Sequence, residues 1–95
     1  MLTSKQRAKL RSLANTMPTI FQIGKGGINE NFIKQLDDAL EARELVKVHI
    51  LDTAFLDVKQ TVNEVARLVG GEPVQAIGSR FVIYRESKDN KQIEL

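Results

Sequence analysis

Between Thr19 and Leu51 the hydrophobic period of the chain switches from two to about 3.6 and back to two, and this constrains the fold more than any other feature. A strand, a helix and a second strand share one sheet only through a crossover, so part of the sheet must be parallel. Thr19 to Ile23 reads as the first strand, and Phe32, Ile33, Leu36 and Leu40 form the apolar stripe of a helix that starts near Asn29. Leu45 to Leu51 alternates, with Val46, Val48 and Ile50 on one face and Lys47 and His49 on the other. The pattern then recurs. After a loop around Asp52 to Leu56, Asp57 and Gln60 cap a helix striped by Val58, Val62, Val65 and Val69, which Gly70 and Gly71 stop. Val74 to Ile77 and Arg80 to Arg85 flank Gly78-Ser79, a two-residue hairpin turn with positive φ at its first position. Pairing Ile77 with Arg80 sets Val74 and Ala76 beside Phe81 and Ile83, and all four should face the helices. Ahead of all this, Thr3 or Ser4 caps a helix that runs to about Asn15 with Leu10, Leu13 and Ala14 on its apolar face. The expected fold is α/β: a single domain with a mixed four-stranded sheet and three helices in the order αβαβαββ.

With 95 residues the chain has room for one core, since a domain of this size buries only roughly 60–70% of its unfolded surface. Cysteine is absent, which removes disulfides, thiolate metal sites and cysteine nucleophiles. No apolar run approaches the roughly 20 residues of a membrane helix, and no signal-peptide pattern opens the chain, so the expected location is cytoplasmic, with no membrane partner. The net charge of +2 conceals a polarity. Residues 1–27 hold five bases (Lys5, Arg7, Lys9, Arg11, Lys25) and no acid; residues 28–72 hold nine acids against five bases; residues 73–95 hold four bases against three acids. A basic surface on one side is the footprint of a polyanion ligand, although the same charges would also suit a solvated helix. On the first helix Lys5 and Lys9 fall on one flank of the apolar stripe and Arg7 and Arg11 on the other.

Gly24-Lys25-Gly26-Gly27, between the first strand and the second helix, is the most informative constellation. Three glycines in four positions free successive N–H groups to turn toward one oxyanion beside the positive end of a helix, with Lys25 adding charge at the tip. The pattern alone allows that reading and a plain tight turn equally. A Walker loop is absent, and a dinucleotide fingerprint starting at Gly24 would need glycine where Asn29 stands. Catalytic candidates are sparse. His49, the single histidine, reads as a polar residue on the wetter face of its strand; Asp37 and Asp38 diverge by about 100° on their helix. Ser4, Ser12, Ser79 and Ser87 lack the context of a nucleophile elbow or triad. No enzyme activity, cofactor, metal or small-molecule substrate is expected. Of Phe21, Phe32, Phe55, Phe81 and Tyr84 most should be core, so no stacking surface is expected, and recognition of phosphates and shape in structured RNA fits better than reading of unpaired bases.

The glycine loop after a short strand, the second strand LVKVHIL, the closing VARLVGGEPVQAIGSRFVIYR and the basic first helix together resemble the CRM domain, and more narrowly the bacterial single-domain YhbY-type proteins. The likeness runs from about Leu2 to Arg85. We therefore take residues 1–86 as the domain and 87–95 as a charged C-terminal tail. The resemblance implies a fold similar to the C-terminal domain of translation initiation factor three and RNA binding through a GxxG loop, here Gly24, Lys25, Gly26 and Gly27. It also implies a link to precursors of the large ribosomal subunit, since bacterial members have that association while plant members act in organelle intron splicing. The expected function is thus a non-catalytic RNA-binding assembly factor for ribosomal RNA. The alternative is a protein-interaction or regulatory domain that docks its basic helix on an acidic partner.

Overall fold

The computed structural model describes residues 2–95. Eight elements follow one another: α1 (Ser4–Ala14), β1 (Phe21–Ile23), α2 (Glu30–Arg43), β2 (Leu45–Ile50), a 3-10 turn (Asp52–Ala54), α3 (Val58–Val69), β3 (Glu72–Ile77) and β4 (Arg80–Tyr84). The strands lie in the order β1-β2-β4-β3, with β1 parallel to β2 and the other pairs antiparallel. The expected mixed sheet and element order hold. The first strand is shorter than the alternation suggests: Ile20 still donates to the Lys47 carbonyl at 3.2 Å, but regular pairing starts at Phe21.

Local signals set the helix ends. Thr3 Oγ1 accepts from the Gln6 N–H at 3.1 Å while Gln6 Oε1 accepts from the Thr3 N–H at 3.0 Å, a reciprocal capping box that holds α1. Asn29 Oδ1 accepts from the Phe32 N–H at 2.8 Å, and Asp57 Oδ2 from the Gln60 N–H at 2.9 Å. Each such cap contributes about 1 kcal/mol. Gly70, with φ +68, ends α3 in the left-handed conformation that glycine adopts freely.

Helices α2 and α3 cover one face of the sheet and α1 the other, so the sheet has two cores. Phe32, Leu36, Leu40, Val62, Val65 and Val69 meet Ile23, Val46, Val48, Ile50, Phe81 and Ile83 on the first face. On the second, Leu10 and Ala14 meet Leu45, Val74, Val82 and Tyr84. Two expectations need correction here. Val74 does not share a face with Ala76, Phe81 and Ile83; a bulge between Pro73 and Gln75 inserts one residue and turns Val74 toward α1. β3 is an edge strand, where a proline without an N–H and a bulge are both tolerated. Leu13 is 41% exposed and not part of the α1 core, because at 100° per residue it lies on the rim of the stripe set by Leu10 and Ala14.

The chain after Tyr84 is tied down by two carboxylates at the end of α2. The Glu44 carboxylate, fully buried, accepts from the N–H groups of Ser87 (2.8 Å), Gln92 (2.6 Å) and Ile93 (2.7 Å). Glu41 accepts from the Ser87 hydroxyl at 2.7 Å and from the N–H groups of Lys88 and Asp89 at 3.0 Å. Burial alone would raise Glu44, yet its three N–H partners outweigh that and hold it below the ordinary carboxylate value. Glu41 is lowered to about 2 by its bonds from Lys88, Ser87 and Asp89.

Candidate nucleic-acid interface

The glycine loop leaves the end of β1 at one end of the sheet, beside the 3-10 turn and the β3–β4 hairpin. The Leu51 N–H donates to the Ile23 carbonyl at 2.8 Å, and the Ile50 N–H to the Ser79 carbonyl at 2.7 Å, which fastens the three segments together. Within the loop the Gly27 N–H donates to the Gly24 carbonyl at 2.9 Å, and Gly27 has φ +64. Only Gly27 is therefore required by backbone conformation. Gly24 and Gly26 are not in the left-handed region. A Cβ on Gly24 would meet Leu51 Cδ1 at 3.5 Å, an ordinary contact, and one on Gly26 would meet Asn29 Nδ2 at 3.4 Å. The fold has no strict need for glycine at these two positions, so the bare backbone is available to a ligand that approaches closely. Lys25 and Gly26 are exposed. Beside the loop runs a groove of about 220 Å³, lined by Phe21 and by the amides of Gln22, Asn29, Asn31 and Gln35. Asn29 and the exposed Glu30 already serve the start of α2, which leaves its positive end partly answered.

The basic residues of α1 are divided by the C-terminal tail. Gln6 and Leu13 line hollows shared with Ile93, and Lys9 donates to the Glu94 carbonyl, so this flank of α1 faces the tail. Lys5 is on the same flank. Arg7 and Arg11, both half-buried, lie on the other flank of the Leu10–Ala14 stripe. Gln22, His49, Arg80 and Ile77 pair successively across β1, β2, β4 and β3 and so form one row on the α1 face, where Gln22, Arg80 and Ile77 are exposed and His49 is half-buried. Lys47, one step along β2, donates to the Met17 carbonyl at 3.2 Å.

Charge pairing is lopsided. The ion pairs among the described residues are Arg67–Glu64, Arg85–Asp37 and Lys91–Glu86. None involves Lys5, Arg7, Lys9, Arg11 or Lys25. The first turn of α1 has no acid, so Lys5 and Arg7 sit against the positive helix end uncompensated, an arrangement that costs stability unless an anion joins them.

Sequence comparison now gives these features a family. The profile of the CRS1 / YhbY (CRM) domain matches residues 2–85. The chain belongs to this family. It is 50% identical over 95 residues to the probable RNA-binding protein YqeI of Bacillus subtilis, covering all of this chain and 99% of that one. An RNA-binding protein of Haemophilus influenzae is 29% identical over 90 residues, 95% of this chain and 91% of its own. The chloroplastic CRM-domain containing factor CFM2 of Arabidopsis thaliana is 26% identical over 77 residues, 81% of this chain but only 8% of that one. The solution structure of SAV1595 from Staphylococcus aureus superposes with a TM-score of 0.79 at 56% identity, covering 100% of this chain and 99% of that one.

Within the CRM domain the glycine loop and the α1 bases do not lie on one element, and the row Gln22, His49, Arg80 and Ile77 lies on the same face of the sheet as α1. Sequence reasoning missed that row, because His49 and Lys47 read only as a wetter face and Arg80 and Ile77 only as hairpin residues. It also missed Phe55, which the expectation of mostly buried aromatics left unremarked. Phe32, Phe81 and Tyr84 are buried, but Phe55 is 94% exposed with φ +54 at the C-terminal end of the 3-10 turn, so an exposed aromatic is present after all. Among the described residues no cluster of His, Cys, Asp and Glu is arranged to hold a metal, and no helix is long and apolar enough to cross a membrane.

Proposed function

We propose that this CRM protein is a non-catalytic RNA-binding factor that acts on ribosomal RNA in precursors of the large ribosomal subunit. The observation that carries the reading is the coincidence of an unpaired basic set with a loop whose Gly24 and Gly26 are not demanded by the fold. The names of the relatives support RNA as the partner. In this reading phosphates of a folded RNA take the N–H groups of the loop and Lys25, the amides beside the loop add neutral hydrogen bonds, and Arg7 and Arg11 hold a second stretch of backbone across the sheet row. Binding stabilises one RNA conformation and makes or breaks no covalent bond. The test is a sucrose gradient of cell lysate at low salt, blotted for the protein, beside the same gradient with Lys25→Ala. The parent should sediment with large-subunit precursors and the variant should shift toward the top. Protein that stays at the top, and that purifies free of nucleic acid by its 260 to 280 nm absorbance, would sink the proposal and favour docking on an acidic protein partner.

A further inference from the structure

Phe55 is the residue the fold explains least. Its ring is almost wholly in water, and its backbone occupies the left-handed region that bulky side chains avoid. Glycine or asparagine would relieve both penalties, so the ring does nothing for the fold. Yet it is held in place. The Phe55 N–H donates to the Asp52 carbonyl at 3.2 Å and the Ala54 N–H to the Leu51 carbonyl at 3.0 Å, and Leu51 is itself bonded to Ile23 at the root of the glycine loop. Thr53 Oγ1 lies 4.0 Å from where a Gly24 Cβ would stand. The aromatic ring is therefore presented from a fixed turn at the same end of the sheet as the glycine loop.

The surroundings indicate what the ring would meet. A groove of about 340 Å³ beside Phe55 has mixed walls, apolar from Ile50, Leu51, Leu56 and Val58 and polar from Asp52 and Ser79, with Gly78 at the hairpin. Lys25 and Arg80 stand at this end of the sheet, while Asp52 lines the groove beside the ring. The Asp52 carboxylate repels phosphate from the groove while the bases attract it nearby, an arrangement suited to a flat uncharged group attached to a phosphate chain. We propose that Phe55 is a stacking platform for an unpaired base of the bound RNA, next to phosphates held at the glycine loop. This rests on the RNA-binding reading and narrows it to a structured RNA with an unpaired nucleotide beside its helix. It also reverses the expectation that no base is stacked.

The chain has no tryptophan, so Phe55→Trp places a single stacking reporter at this point. Two RNAs of equal length serve as probes, a perfect duplex and a stem with an unpaired loop. Binding of the second should quench the fluorescence of F55W, and Phe55→Leu should weaken that RNA by roughly 5- to 150-fold, the range for loss of one stacked base, while leaving duplex affinity and the melting curve unchanged. If the parent binds both RNAs, F55W is not quenched and F55L binds like the parent, the stacking role is wrong and the RNA reading survives. If the parent binds neither RNA at low salt, both fall. If F55L alters only self-association in sedimentation, the ring is a contact between copies and the proposal is overturned.

Discussion

Substituting the three loop glycines one at a time with alanine separates what the turn needs from what a ligand needs. Gly27 has φ +64, and forcing a Cβ into that region costs about 1–2 kcal/mol, which for a domain of this size lowers Tm by about 4–16 °C. Gly24 carries no such cost: its new methyl would rest 3.5 Å from Leu51 Cδ1, and fewer unfolded conformations would even favour the variant by about 0.4–1 kcal/mol. Gly26→Ala falls between, since Asn29 Nδ2 at 3.4 Å is a tight contact on the amide whose Oδ1 caps α2, and it gives way only as far as that cap allows. Thermal melts should therefore rank Gly27→Ala far below the parent and leave the other two near it. RNA affinity, measured by filter binding well below each Tm, should follow a different order. Gly24→Ala and Gly26→Ala should lose affinity without losing stability, because a methyl group now stands where phosphate approaches the backbone, and Gly26→Asp should lose more through its charge. If Gly26→Ala melts as low as Gly27→Ala, the conformational reasoning is wrong. If Gly24→Ala, Gly26→Ala and Gly26→Asp all bind as the parent does, the loop is only a turn.

Three further outcomes are expected. Neutralising Arg7 and Arg11 to Gln should cost about tenfold more RNA affinity than neutralising Lys5 and Lys9, whose flank faces the tail; equal losses in a titration would indicate diffuse attraction. RNA affinity should fall with salt at a log–log slope of about −3 to −5, corresponding to about four to six phosphate contacts, and a flat dependence would refute a phosphate-led interface. Glu41, at about 2, and Glu44 are both held below the ordinary 4.5, so their hold on the tail is complete above that pH and is lost as pH falls through their lowered folded values. Amide exchange at Ser87, Lys88, Gln92 and Ile93 should accelerate over that window before the β2–β4 amides do, and Glu44→Gln should produce the same release at neutral pH; protected tail amides in that variant would contradict the assignment.

Periodicity was enough for the elements that bury a regular face. Val46, Val48 and Ile50, or Val62, Val65 and Val69, can point to the core in only one way once the period is known, and the crossover between β1 and β2 then requires parallel pairing. Val74 escaped because a bulge is a local break in that period, and Pro73 on an edge strand was its only sign. The two-sided sheet was half legible: Val82 and Tyr84 alternate with Phe81 and Ile83, yet a strand apolar on both faces reads like any short buried run. At the candidate site the glycine spacing marked the loop but not which glycine carries the positive φ. The tail was least legible of all. Nothing in Glu41 or Glu44 announces that their carboxylates collect N–H groups about fifty residues away.

That last point changes the meaning of the charge polarity. Counted along the chain, the acidic middle looks like a repulsive surface that keeps a basic domain selective. In the fold, most of those acids are already engaged: Asp37 with Arg85, Glu64 with Arg67, Glu41 and Glu44 with the tail, Asp57 at the start of α3 and Glu72 with the Leu2 N–H. The acids answer structural needs of the chain, whereas the bases of the first 27 residues form no ion pair among the described residues. A net charge of +2 therefore understates how bare the bases are locally, because the engaged carboxylates answer Arg85, Arg67, the tail and helix ends, and among the described residues none forms an ion pair with Lys25, Arg7 or Arg11.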